Sequence, residues 1–305
     1  MTAIRFGLVH APLTPFTGDR AIDYACYARL IDFHLHHGAE GLALPMHVGE
    51  SVSLSVEERK ALLAFALAQV RGRVPVIVNV SEAGTAIAAS LAAHAREAGA
   101  AAVIASVPYY WTPPQSMLVE HFAAIGAAAG LPFLVYNAPT EMADVTFSPK
   151  SVVDLLQRLP TFAGLIDSSL DWQYMIEVVT VARAVRPDFQ FVSGTEYMIS
   201  AGAIGATGLL SSLSGVAPRL VRTLYDLCRA EKFREARPAQ EDAAILFRAL
   251  RDLGPAGVKA AARGRGRDCG RPRPPLPALD EAQTRSLMTS LSAVKSLDAE
   301  PRDWL

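Results

Sequence analysis

Short apolar runs alternate with longer amphipathic stretches from residue 6 to about residue 212. The short runs fall at 7–12, 41–45, 74–80, 101–107, 131–136, 163–166, 189–193 and 206–211. Many are nearly continuous in Val, Ile, Leu and Ala, the composition of strands buried on both faces. Between them the pattern predicts helices over 22–37, 56–70, 83–98, 114–129, 149–159, 171–185 and 196–203. Ser55 with Glu58 reads as a capping box, and Gly38, Gly72, Gly99 and Gly130 stand where helices should stop. Strict strand–helix alternation implies parallel strands with right-handed crossovers, and eight units in this length predict an α/β fold, a (β/α)8 TIM barrel. Residues 1–217 are expected to form the barrel core. Residues 218–305 are expected to supply the last barrel helix and a C-terminal helical extension of the same structural unit.

In such a barrel the chemistry lies where strands end and loops begin. That rule selects 12–14, 45–51, 79–82, 108–111, 136–140, 166–169, 194–196 and 211–214. Composition narrows the partners. A formal net charge of −1 in 305 residues supplies no long-range field for nucleic acid or acidic membranes, so neither partner is expected. No stretch of about 18 uninterrupted apolar residues occurs, and the N-terminal residues show no leader pattern. Cys26, Cys228 and Cys269 are odd in number, far apart in sequence and without metal-ligand spacing, which argues against a disulfide framework or zinc site. A reducing cytoplasm is the expected compartment. His34 and His36 diverge by ~200° on a helix, so these residues and His37 are read as protonated imidazoles favoured at a helix C-terminus rather than as metal ligands. Five arginines between 263 and 273 are read as a surface or subunit-contact segment.

The selected segments carry a second pattern. Ala11-Pro12-Leu13-Thr14-Pro15-Phe16 opens the chain, and Gly49-Glu50-Ser51 precedes Leu54-Ser55-Val56-Glu57-Glu58-Arg59. Pro108-Tyr109-Tyr110, Tyr136-Asn137-Ala138-Pro139, Gly164-Leu165-Ile166-Asp167-Ser168-Ser169 and Ser193-Gly194 follow, with Val258-Lys259-Ala260-Ala261 and Arg273-Pro274-Pro275-Leu276 near the end. Together they resemble the dihydrodipicolinate synthase/N-acetylneuraminate lyase family of class I aldolases over almost the whole chain. The resemblance implies a TIM barrel, a small 2-oxo or hydroxy acid as partner, no cofactor and no metal. It also implies a homotetramer, a dimer of dimers.

Family chemistry runs through a Schiff base on a lysine that follows a Gly-hydrophobic pair at the end of strand six. Only an uncharged primary amine forms an iminium. Here the pair is Gly164-Leu165 and the next residue is Ile166, which cannot form one. The chain has five lysines, Lys60, Lys150, Lys232, Lys259 and Lys295, none expected at a strand end facing the mouth. Where the family carries a Ser/Thr-Thr pair, this chain has His47-Val48; where the synthase branch carries an arginine, it has Glu141. Tyr136 matches the family's proton-transferring tyrosine and Tyr110 the aromatic which, in the synthase branch, extends the relay, often across a subunit boundary.

The resemblance therefore implies catalytic roles for Tyr136, Tyr110 and His47, with Val48, Gly49, Glu141, Ile166, Gly194 and Leu210 bordering the substrate. Each has a plainer reading: Tyr136 a buried strand-end tyrosine, Tyr110 part of an aromatic loop, His47 a structural histidine, Glu141 a solvated charge, Gly194 a strand-to-helix turn. Glu50 is expected to fold its carboxylate onto backbone amides of its own loop, and Asp167 to make a barrel–helix hydrogen bond. Two functions remain open on the residues alone. One is a lyase, aldolase or hydratase working without an imine; the other is a non-catalytic ligand-binding or regulatory relative. A third is an ordinary aldolase whose lysine reaches the mouth from elsewhere.

Overall fold

The computed structural model describes residues 5–304. Eight parallel strands close into a barrel in sequence order: β1 (Leu8–His10), β2 (Gly41–Leu44), β3 (Val76–Asn79), β4 (Ala102–Ser106), β5 (Phe133–Asn137), β6 (Phe162–Asp167), β7 (Gln190–Ser193) and β8 (Gly208–Ser211). β8 pairs back onto β1 with Val9 opposite Leu210. Helices α1 (Tyr24–His36), α2 (Val56–Val70), α3 (Thr85–Ala98), α4 (Gln115–Ala129), α5 (Pro149–Arg158), α6 (Trp172–Val185), α7 (Met198–Ala203) and α8 (Pro218–Arg229) cover the outside. The strands are apolar on both faces because each lies between the barrel interior and this helical shell. The Ser55–Glu58 capping box forms in both directions, at 3.1 and 2.9 Å. Beyond α8 run α9 (Phe233–Arg251), α10 (Gly254–Gly264) and α11 (Glu281–Leu291), and α10 packs against the turn after β2. Among the described residues no helix is long and apolar enough to cross a membrane.

The histidine and arginine clusters differ from expectation. His34 is fully buried and its Nδ1 lies 3.1 Å from Nδ1 of His10 on β1. Burial holds His34 well below the usual imidazole value and lowers His10 to about 3, so these rings are neutral rather than protonated helix-end charges. Arg267 is fully buried, not a surface residue. Its guanidinium stacks on Phe33 at 4.3 Å and donates to the carbonyls of Val216, Pro301 and Asp303 at 3.2, 3.0 and 2.8 Å. Arg273 grips the Glu58 carboxylate through both Nη atoms, at 2.6 and 2.8 Å. A guanidinium carries five donors in a rigid fork, so this segment ties down carbonyls that an apolar helix face could not satisfy.

Candidate active site

The C-terminal strand ends open on a cavity of about 160 Å³, closed on the far side by α9 and α10 through Phe247, Leu250, Pro255 and Val258. Six of the nine sequence-derived site residues line it: His47, Val48, Tyr136, Glu141, Gly194 and Leu210. Tyr136 stands near the end of β5, in register with Ile166 on β6. Its hydroxyl accepts from Ser168 Oγ at 3.2 Å. Burial pushes the phenol well above its ordinary value, and the neighbouring Glu141 carboxylate pushes it further. The pocket therefore holds Tyr136 protonated, as a donor.

Gly194 has a steric reason. A Cβ there would fall 2.2 Å from Ser168 Oγ and 2.9 Å from the Asp167 carbonyl. Only glycine lets the end of β7 approach β6 closely enough for Ser168 to sit beside Tyr136. Asp167 is buried, and accepts from Asn137 Nδ2 at 2.8 Å and Ser169 Oγ at 2.9 Å. Its partners are a strand and a loop rather than a helix, and burial raises it to about 6.

His47 and Val48 lie in a 3₁₀ turn, His47–Gly49, followed by Glu50 in the left-handed region at φ 56°. Gly49 stays behind the lining, where its carbonyl accepts from Thr14 Oγ1 at 2.6 Å. The Glu50 carboxylate does not return to its own loop. It pairs with Lys259 Nζ at 2.6 Å and accepts the Arg273 N–H at 2.8 Å. Both Glu50 and Lys259 are buried, and the ammonium also lies 4.2 Å from the Phe16 ring centre. This buried ion pair ties the turn to α10, and loss of either partner would strand the other's charge.

Ile166 is buried beside Tyr136 and is not among the lining side chains. Tyr110 is 82% exposed, in the left-handed region at φ 76°, and lies outside the cavity. None of the five lysines lines it. Lys60 is on α2, Lys150 on α5 against Asp154, Lys232 beside Glu235, Lys259 in the Glu50 pair, and Lys295 in a terminal 3₁₀ turn.

Further polar lining groups fall in the strand-end segments that the sequence selects, and one falls outside them. Thr140, Ser168, Ser169, Thr195 and Ser212 share the lining with Tyr136, and α9 adds Arg251, whose Nε pairs with the Asp252 carboxylate at 3.1 Å. Strand-end position was the available signal for the hydroxyls, while nothing local marks Arg251. Glu196 lies just behind Thr195, fully buried, accepting from Ser211 Oγ at 2.7 Å and the Leu213 N–H at 3.0 Å. Among the described residues its second oxygen has no hydrogen-bond partner, and burial raises its pKa above the carboxylate norm. A carboxyl so placed tends to hold its proton.

Comparison with known proteins agrees with this geometry. Residues 5–294 match the Dihydrodipicolinate synthetase family. The 4-hydroxy-tetrahydrodipicolinate synthase of Bacillus subtilis (strain 168) is 31% identical over 295 residues, covering 95% of this chain and 99% of that protein. The crystal structure of dihydrodipicolinate synthase from Aquifex aeolicus superposes with a TM-score of 0.89 at 29% identity, over 94% of this chain and 97% of that one. A prophage protein of the dihydrodipicolinic acid synthase family from E. coli K12, solved in complex with pyruvate, gives 0.90 at 25% identity over 96% and 99%. The (β/α)8 barrel and the match over residues 5–294 place this chain in the dihydrodipicolinate synthetase family of aldolase-type lyases.

Proposed function

We propose that this protein is a lyase for a small 2-oxo or hydroxy acid that works without a Schiff base. The observation that carries it is the cavity itself: Tyr136 held protonated beside Ser168, with no lysine among the lining residues. The pyruvate complex of a structural relative supports the substrate class. In this reading Arg251 and the ring of hydroxyls receive the carboxylate, and Tyr136 donates to the substrate oxygen on which charge develops. His47, exposed at the rim, takes the carbon-bound proton. Elimination of water balances in this arrangement: the C–H electron pair forms the double bond, the C–O bond breaks, and the departing hydroxyl leaves with the Tyr136 proton. Glu141 selects against a second substrate carrying extra negative charge.

The test is turnover across a panel of 2-oxo and 3-hydroxy acids, run beside borohydride treatment with pyruvate and intact-mass analysis. Turnover with no pyruvate-derived mass gain is expected. A stable mass gain would restore the imine mechanism. Complete inactivity, with ligand-induced thermal shifts retained, would favour the second reading, a non-catalytic ligand-binding relative. The absent amine and the Glu141 carboxylate beside Tyr136 are what favour that reading. A homotetramer belongs to the proposal, and the exposed Tyr110 and Trp111 supply an apolar surface for it. Sedimentation of the intact protein as a monomer would remove that part.

A further inference from the structure

Cys26 and Cys269, remote in sequence, meet in the fold. Cys26 lies in the first turn of α1, where its N–H donates to the Asp23 carboxylate at 2.9 Å. Its Sγ donates to the Asp268 carbonyl at 3.4 Å, which sets it against the residue directly preceding Cys269. The loop between α10 and α11 holds Cys269 rigidly in this position. The Phe16 N–H donates to the Cys269 carbonyl at 3.2 Å. Gly270 has a positive φ of 74°, and a Cβ there would lie 2.0 Å from the Phe16 carbonyl, so the loop lies directly on β1's following segment.

The two sulfurs are not equivalent. Cys269 is buried and Cys26 is half-exposed, so a small reagent reaches one before the other. The Cys269 hydrogen bond holds the Cys26 thiol below its ordinary value and raises that of Cys269. A helix N-terminus favours a thiolate in the same sense. Cys228 sits apart on α8, where burial raises its thiol to about 11.

We infer that Cys26 and Cys269 form an oxidation site at which a peroxide is reduced and an intrachain disulfide closes. The Cys26 thiolate attacks one peroxide oxygen and the O–O bond breaks. The products are a Cys26 sulfenic acid and, once the departing oxygen takes a proton, water. The Cys269 thiol then attacks the Cys26 sulfur; the S–O bond breaks, the S–S bond forms, and a second water leaves with the Cys269 proton. Two thiols lose two electrons and two protons, and hydrogen peroxide becomes two waters.

The experiment treats reduced, intact protein with hydrogen peroxide, removes the peroxide with catalase, then denatures in N-ethylmaleimide for intact-mass and peptide analysis. One maleimide per chain, a Cys26–Cys269 linked peptide and full reversal by dithiothreitol are expected. The melting temperature should rise by roughly 5 °C in the oxidised form. Cys228→Ser should keep the link, and Cys269→Ser should leave Cys26 as a dimedone-reactive sulfenic acid. Three maleimides after peroxide, a link through Cys228, or sulfinic acid at Cys26 without a link would each overturn the assignment. Where Cys269→Ser fails to fold, the Cys228→Ser result decides alone.

Discussion

Tyr136 owes its chemistry to its surroundings more than to its type. A free phenol titrates near ~10, but burial and the Glu141 carboxylate move this one up, so the pocket offers a proton donor. The proposed reaction needs that donor at the substrate oxygen. Tyr136→Phe is expected to lower kcat by ~10²–10⁴-fold with little change in melting temperature, because the lost hydroxyl makes one 3.2 Å contact to Ser168. Steady-state kinetics with a thermal melt checks this, and unchanged kcat would remove Tyr136 from the reaction. His47, Glu141 and Gly194 were legible as mouth residues because strand ends are visible in the hydrophobic pattern. Tyr110 is exposed outside this chain's own cavity, and the relay role that its motif implies runs across a subunit boundary, which one chain does not contain.

The turn after β2 is built by distant elements. Glu50 in that turn, Lys259 on α10 and the Arg273 N–H beyond it form one buried unit. Desolvation lowers the Lys259 ammonium while the Glu50 charge opposes that shift. Lys259→Met would leave Glu50 buried without its countercharge. Urea unfolding should then show a loss of ~3–5 kcal/mol with unchanged slope. The double variant Glu50→Gln, Lys259→Met should recover part of that loss. A cost near zero for the single variant would show that the pair is not needed. The sequence marks both residues by family pattern, but their pairing is invisible to periodicity. An expectation of local amide partners for Glu50 fails because ion pairs across the fold compete with local hydrogen bonds and win once both groups leave water.

At the scale of the whole molecule, neutral buried histidines set the acid limit. His10 is lowered to about 3 and His121 to about 4, both mainly by burial, and His34 lies well below its usual value. His10 and His34 face each other and His37, with Arg222 and Arg267 nearby, so protonation there meets positive charge as well as desolvation. The unfolded chain binds these protons below about pH 6.5. Stability from the neutral rings is therefore present above that pH and is lost as pH falls toward 4. Asp167 works in the other direction: raised to about 6, it contributes more as pH falls through 6 toward ~3.9. Four lowered imidazoles, His37 at about 4 included, outweigh the three raised carboxyls Asp167, Glu196 and Glu300. The melting temperature should fall steadily between pH 6.5 and 4, and a flat profile across that range would contradict the burial of these rings.

The hydrophobic pattern by itself determined the architecture of this protein. Eight apolar runs alternating with amphipathic ones admit few arrangements, since each strand must be covered on both faces and crossovers take one hand. The absence of lysine at position 166 was equally plain in the sequence, because a residue's identity needs no fold to be read. Tertiary structure alone decided which groups meet. It brought Arg251 to the mouth, set Ser168 against Tyr136 through the missing Cβ of Gly194, buried Arg267, and laid Cys26 against the carbonyl that precedes Cys269. Periodicity reports which face of an element is apolar. Pairings between polar groups far apart in the chain depend on distances and desolvation that exist only once the barrel has closed.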